Sequence, residues 1–181
     1  METIRPVKIL AIDPGTRYLG VAVLEGSDLI YATVKNVKEQ SKAPKDKISK
    51  IEKIIARLIA TYRPDILAIE KTLTVQLKSS PLITPLTRAI KKQAKCKKLK
   101  VCEYVPQAVR KFICQDGKAT KLKAATVITE KYYPWLTPYL EKDLKKRWWE
   151  GSSRYWEQMF GAIALSLTCL ANHSERAGKT A

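Results

Sequence analysis

Two acidic residues of this chain stand where a folded protein rarely leaves a charge. An apolar run from Val7 to Ile12 ends on Asp13, and Pro14-Gly15 then turns the chain into a second apolar run, Leu19 to Leu24. Short apolar runs around a Pro-Gly turn read as paired β-strands. The stretch Asp65 to Glu70, Asp-Ile-Leu-Ala-Ile-Glu, repeats the arrangement of an apolar run closed by a carboxylate. An ionised carboxylate leaving a sheet's centre is costly unless a hydrogen-bond donor or a cation meets it. Each acid has a plain alternative. Asp13 can cap the Pro-Gly turn, and Glu70 can be a strand-end surface charge. Two such acids on neighbouring parallel strands read instead as oxygen ligands for a hard cation.

The elements that must position them follow from periodicity. Asp28 to Val34 is a third strand after the Glu25-Gly26-Ser27 turn, so the first three strands form an antiparallel meander. Residues 36–47 are polar and lysine-rich and read as a loop. Apolar residues at Ile48, Ile51, Ile54, Ile55, Leu58, Ile59 and Tyr62 have helical spacing, and Arg63-Pro64 stops that helix. A helix followed by a buried strand is a crossover, which makes the Asp65–Glu70 strand parallel to the first. Asp13 and Glu70 then leave the sheet at the same end.

Beyond the Lys71–Ser80 linker, Pro81 to Lys98 reads as a helix whose outer side carries Arg88, Lys91, Lys92, Lys95, Lys97 and Lys98. A charge run of this kind is usually a solvated face. Six cations without an acid among them also suit phosphate contact. Leu99 to Val105 is a fifth strand, and Pro106 to Cys114 a short helix with proline at its start. Gln115-Asp116-Gly117 breaks it, and Lys118 to Tyr133 is a further helix. Arg110, Lys111, Lys118, Lys121 and Lys123 make this pair a candidate backbone clamp, with helix N–H groups after Gly117 free for a phosphate. Residues 133–154 read as a partly helical insertion, rich in Trp and Lys. Its aromatics suit a satellite core, a dimer contact or a base-stacking surface, in that order. A last helix runs from about Arg154 to Ala171, burying Met159, Ala162, Ile163, Ser166, Leu167 and Leu170. Residues 1–175 form a single domain in this reading, with 176–181 as a flexible tail.

Composition narrows the partner. The 181 residues are 45% hydrophobic, so the chain folds, and 34 Lys+Arg against 17 Asp+Glu leave a formal charge of +17. Such an excess points to a polyanion, nucleic acid before others. The four cysteines have no C-x-x-C spacing and the one histidine, His173, lies near the C-terminus, so a zinc site is not expected. A chain of this size needs no disulfides, which suits reduced thiols and a cytoplasmic setting. No signal-peptide pattern opens the chain, and no apolar run is long enough to span a membrane.

The order β-β-β-α-β-α-β-α-α-α, with acids ending the first and fourth strands, is that of the ribonuclease H-like fold. Within it, the chain resembles the RuvC family of Holliday-junction resolvases. The resemblance lies in Ile9 to Arg17 with Gly20, in Pro64 to Glu70, in Tyr104-Val105-Pro106 with Val109-Arg110 and Gly117-Lys118-Ala119-Thr120-Lys121, and in Gly161 to Leu167. The third segment is the most specific, because it has no generic structural reason to recur. Arg110 and Lys121 fall on the family's two basic positions there.

The resemblance implies an α/β fold with a five-stranded mixed sheet, three antiparallel strands plus two parallel ones, flanked by helices. It implies metal-dependent hydrolysis of phosphodiesters in four-way DNA junctions by paired symmetric nicks. Two Mg²⁺ ions are expected, with Mn²⁺ able to substitute, held by Asp13, Glu70 and Glu157. It also implies a homodimer, for which the helix from Pro81 is the expected interface, and a nucleoid-associated, cytoplasmic protein. DNA contacts are expected from Leu73, Arg88, Lys91, Lys92, Arg110, Lys111, Lys118 and Lys121.

Two departures stand out. The family's last helix carries two acids, or a His and an acid, three apart; here those positions are Gln158 and Gly161. Glu157 lies one turn before Gly161 on the same helix face. It reads as the displaced third acid, or as an ion-pair partner of Arg154. Gln158 can still ligate weakly through its amide oxygen, and Asp143 is a distant second candidate for the missing acid. The residue three past Glu70, usually aromatic in the family, is Leu73. An aliphatic wedge still unstacks a base step, without stacking on it. Two other functions stay open: a junction binder whose cleavage is weak or lost, and a ribonuclease H-like nuclease acting on flaps or other branched DNA.

Overall fold

The computed structural model describes residues 5–37, 43–71, 81–145 and 155–178. Leu73, Arg154, Trp148 and Trp149 lie outside them, as does the side chain of Asp143. Five strands form one sheet: β1 (Lys8–Pro14), β2 (Tyr18–Glu25), β3 (Asp28–Asn36), β4 (Ile66–Glu70) and β5 (Lys100–Tyr104), in the order β3-β2-β1-β4-β5. The meander β1-β2-β3 is antiparallel, and β4 and β5 continue the sheet in parallel. This is the mixed sheet that the sequence predicts. Asp65 fixes where β4 starts: its Oδ2 accepts from the Lys8 N–H at 2.9 Å, and its own N–H donates to the Lys8 carbonyl at 2.8 Å.

Strand alternation splits the core in two. Leu10, Ile12, Val21, Val23, Leu67 and Ile69 face α1 (Pro44–Tyr62) and α2 (Ile83–Cys96), packing on Ile51, Ile55, Leu86 and Ile90. Ile9, Ala11, Ala22, Leu24, Ile66 and Ala68 face the other layer, made by α3 (Pro106–Cys114), α4 (Lys121–Val127) and α6 (Glu157–Gly178). Between α4 and α6 the chain makes a π-helical turn (Ile128–Tyr132), a 3-10 turn (Pro134–Leu136) and α5 (Thr137–Lys145). None of the described helices is long and apolar enough to cross a membrane.

Several helix boundaries differ from expectation. The first helix starts at Pro44, inside the predicted loop, because proline suits a first turn and Lys45 and Lys47 merely extend the polar face. The helix predicted from Lys118 begins at Lys121, where Thr120 caps it by accepting from the Lys123 N–H at 3.1 Å, and its α-helical part has seven residues. Its first turn therefore presents fewer free N–H groups than the sequence pattern implies. The last helix continues past Ala171 to Gly178, so residues 176–178 of the expected tail are helical. The insertion joins the main core on the α6 side rather than forming the expected satellite core. Leu136 and Leu140 are buried, and the Tyr139 ring meets Trp156 edge-on at 4.6 Å.

Candidate active site

The same alternation that splits the core delivers the two acids to one face. Asp13 continues the series Ile9-Ala11, and Glu70 continues Ile66-Ala68, so both emerge on the α6 side. Because Ile12 lies beside Ile69 in the parallel register, the next residues, Asp13 and Glu70, are neighbours at the ends of their strands. The turn beyond Asp13 is held from two sides: Lys47 Nζ donates to the Thr16 carbonyl at 2.9 Å, and the Val37 N–H to that of Arg17 at 2.9 Å.

The third wall is α6, and it sits very close to the sheet. Small residues make this possible: Gly20, Ala11, Ala22 and Ala68 on the strands, and Gly161, Ala162 and Ala164 on the helix. A Cβ at Gly20 would run into the Gln158 carbonyl, and one at Gly161 into Asp13 Oδ2. The glycine at 161 thus stands where the resemblance leads one to expect an acid, with no room for a side chain above Asp13. Tyr155 pins the start of the helix. Its hydroxyl donates to the Val34 carbonyl at 3.1 Å, and its ring meets Tyr18 and Trp156 edge-on at 5.0 and 4.8 Å.

A narrow cleft results, lined by Asp13, Glu70, Arg110, Lys121 and Glu157 among apolar walls that include Val109, Phe160 and Leu165. Gln158 is not among its lining residues. Its side-chain oxygen lies 3.7 Å from where a Cβ on Gly15 would be, toward the turn after Asp13. Lys121 Nζ stands 4.0 Å from Asp13 Oδ2 and 3.8 Å from Glu157 Oε1. Asp13 is 3% exposed, and its Oδ2 is buried with no hydrogen-bond partner. Burial raises its pKa from 3.8 to about 7, against the pull of Lys121 and with the help of Glu70 and Glu157. The same acids, Asp13 foremost, raise the pKa of Lys121 against the effect of burial.

A buried carboxylate oxygen without a hydrogen bond, with two further carboxylates beside it, is a donor set suited to a hard divalent cation. The residues present fit such an ion in chemistry. Among the described residues no three acidic, histidine or cysteine side chains are gathered closely enough to hold one as they stand. Lys121 occupies the space between Asp13 and Glu157. The sequence placed Lys121 on a DNA-binding face and did not foresee this contact. Thr120, a capping residue, marks Lys121 as the first residue of a helix, but no local signal says that this helix packs on α6.

The remaining basic residues divide by layer. Arg110, with a buried Nε that has no hydrogen-bond partner, lines the cleft, and Lys111 and Lys118 are exposed on the α3–α4 pair. Arg88, Lys91 and Lys92 belong to α2, in the opposite layer. Lys91 is not free there: it binds Glu103 of β5 at 3.1 Å, an acid that the run of cations on α2 does not reveal.

The family profile described as crossover junction endodeoxyribonuclease RuvC matches residues 9–131. The crossover junction endodeoxyribonuclease RuvC of Herminiimonas arsenicoxydans is 33% identical over 128 residues, 67% of this chain and 69% of the relative. The Thermus thermophilus RuvC structure superposes with a TM-score of 0.70 at 19% identity, over 93% of this chain and 97% of that one. The same protein in complex with Holliday junction substrate gives 0.68 at 18% identity, over 93% and 96%. The chain is a member of the RuvC family of crossover junction endodeoxyribonucleases.

Proposed function

We infer that this chain is an endonuclease that resolves Holliday junctions. The observation that carries the reading is the buried Asp13 Oδ2, which has no hydrogen-bond partner, in a cleft shared with Glu70 and Glu157. A carboxylate is kept in such a place for a positive ligand, and nothing in core packing calls for it. In the proposed assignment, Asp13, Glu70 and Glu157 are the catalytic acids, and Glu157 replaces the acids absent at Gln158 and Gly161. The cation is proposed to be Mg²⁺, with two ions per site and Mn²⁺ as a substitute. Bound there, it would supply a nucleophilic water and neutralise charge at the scissile phosphate. Gln158, turned toward Gly15, drops behind Glu157 as a candidate ligand.

Around the acids, Arg110 and Lys121 sit in the cleft and Lys111 and Lys118 beside it. These four are proposed to bind the phosphates nearest the cut. Contact from Arg88 and Lys92 requires DNA that passes the β5 edge, and contact from Lys91 requires it to leave Glu103. Leu73, just beyond β4, is proposed as the wedge at the junction centre. We further propose one nuclease domain over residues 1–175, a homodimer and a cytoplasmic, nucleoid-associated setting.

A second reading, a junction binder with weak cleavage, draws support from the glycine at 161 and from acids not yet gathered to a common point. One assay separates the two. A labelled four-way junction and a linear duplex are incubated with the protein in Mg²⁺ and in Mn²⁺, beside Asp13→Asn and Glu157→Gln. Symmetric nicks in the junction, lost in both variants, are expected. Loss with Asp13→Asn alone makes Glu157 structural. Tight junction binding with no cut in either metal leaves the binder.

A further inference from the structure

The cation already in the cleft belongs to the protein. Lys121 Nζ lies 4.0 Å from Asp13 Oδ2 and 3.8 Å from Glu157 Oε1, and Glu70 adds to the field that holds it. These are the three acids assigned above to a divalent ion. An ammonium and a divalent ion repel at this range, and they draw on the same carboxylate oxygens. We propose that Lys121 is a resident counter-cation that Mg²⁺ must displace, so that the cleft loads its metal when a DNA phosphate draws the ammonium away. The proposal rests on the assignment of Asp13, Glu70 and Glu157 as metal ligands.

The geometry supplies the means to move. Lysine carries a compact charge on a flexible four-carbon stem. The Lys121 side chain is 42% exposed, so its outward path is open, while Thr120 fixes its backbone at the start of α4. A destination lies in the same cleft. Arg110 has a buried Nε with no hydrogen-bond partner, and its charge opposes that of Lys121. A phosphodiester oxygen set against Arg110 would satisfy that N–H and turn the repulsion between the two side chains into a shared anion. Metal and DNA then favour one another, and by linkage each raises the other's affinity by the same factor. In the absence of DNA the ammonium keeps the acids screened and the cleft poorly receptive to metal. Cutting would thereby be tied to the presence of substrate backbone.

The test is Mg²⁺ affinity, read by titration calorimetry of the full chain at pH 8 without DNA. Lys121→Met is expected to bind Mg²⁺ about tenfold more tightly than the wild type, the low end of what one charge at this distance does to a carboxylate's proton affinity. Lys121→Arg should stay near the wild type. A four-way junction with phosphorothioate crossover linkages, which keep the charge, should tighten Mg²⁺ binding to the wild type and leave Lys121→Met nearly unchanged. Lys121→Gln repeats the comparison should the methionine variant melt early. Equal or weaker Mg²⁺ affinity in both neutral variants overturns the proposal. Asp13→Asn tells the two readings apart. If it abolishes Mg²⁺ binding while the lysine variants change nothing, only the role of Lys121 falls. If it leaves Mg²⁺ binding intact, the carboxylate assignment falls and takes this proposal with it.

Discussion

Asp13 carries a cost that can be measured without substrate. Its folded pKa is raised from 3.8 to about 7, chiefly by burial. A raised acid binds its proton more tightly in the folded than in the unfolded chain. Stability is therefore unaffected below about pH 4, falls as pH rises toward about 7, and stays level beyond. The expected outcome is that metal-free Asp13→Asn melts above the wild type at pH 8 and close to it at pH 4. A rise of this size corresponds to at most about 4 kcal/mol. Melting curves in EDTA across this range check it, and parallel curves for the two proteins would mean that Asp13 is solvated. The two neighbours at the start of α6 are distinguished by the same logic of where a side chain points. Glu157 lines the cleft and Gln158 is turned toward Gly15. Glu157→Gln should lower junction cleavage by at least about a hundredfold, since even the outer partners of a metal ligand can cost that much. Gln158→Ala should stay within a few-fold of the wild type, and initial rates in Mg²⁺ decide.

At the scale of elements, the site depends on how closely α6 approaches the sheet. Gly20 and Gly161 are the contact points, one under the Gln158 carbonyl and the other over Asp13 Oδ2. Gly20→Ala should destabilise the protein by about 1–3 kcal/mol, the usual cost of forcing a methyl into a packed interface. It should also reduce cleavage, because lifting α6 withdraws Glu157. Urea midpoints and junction cleavage are the readouts, and an alanine that is silent in both would show that the helix has slack. For the same reason Gly161→Asp, which restores a family-like acid, should fail to improve cleavage. This approach is the part of the site that the sequence concealed. That Asp13 and Glu70 leave the same end of the sheet could be read directly, since each closes a short apolar run and a crossover helix separates the two strands. The meaning of Gly20 and Gly161 could not, because a glycine inside a strand or helix pattern does not say what lies across from it. Lys121 was visible as a basic residue, but its place among the acids depends on α4 lying against α6. The start of α1 at Pro44 was hidden by a lysine-rich first turn that has no apolar stripe.

At the scale of the whole molecule, the sheet separates, among the described residues, two basic regions that composition alone merges into a single charge of +17. Arg110, Lys111, Lys118 and Lys121 gather on the layer that holds the acids, and Arg88, Lys91 and Lys92 ride on α2 in the other. The two sets should respond differently to salt. Each phosphate neutralised by the protein contributes about 0.9 to the slope of log affinity against log salt. Lys118→Ala and Lys111→Ala should each flatten the slope for four-way junction binding by about that amount. Arg88→Ala and Lys92→Ala should leave it nearly unchanged if the DNA keeps to the cleft side, and should flatten it equally if the duplex arms wrap past β5. Lys91→Ala has an additional consequence, because it frees Glu103, whose negative charge would then face whatever approaches that edge. Fluorescence anisotropy on a labelled junction over a salt series gives all five slopes. Unchanged slopes for the cleft-side pair, with loss for the α2 pair, would move the DNA path to the other face of the sheet and detach it from the acids. That outcome would be incompatible with cleavage at Asp13, whatever the affinity.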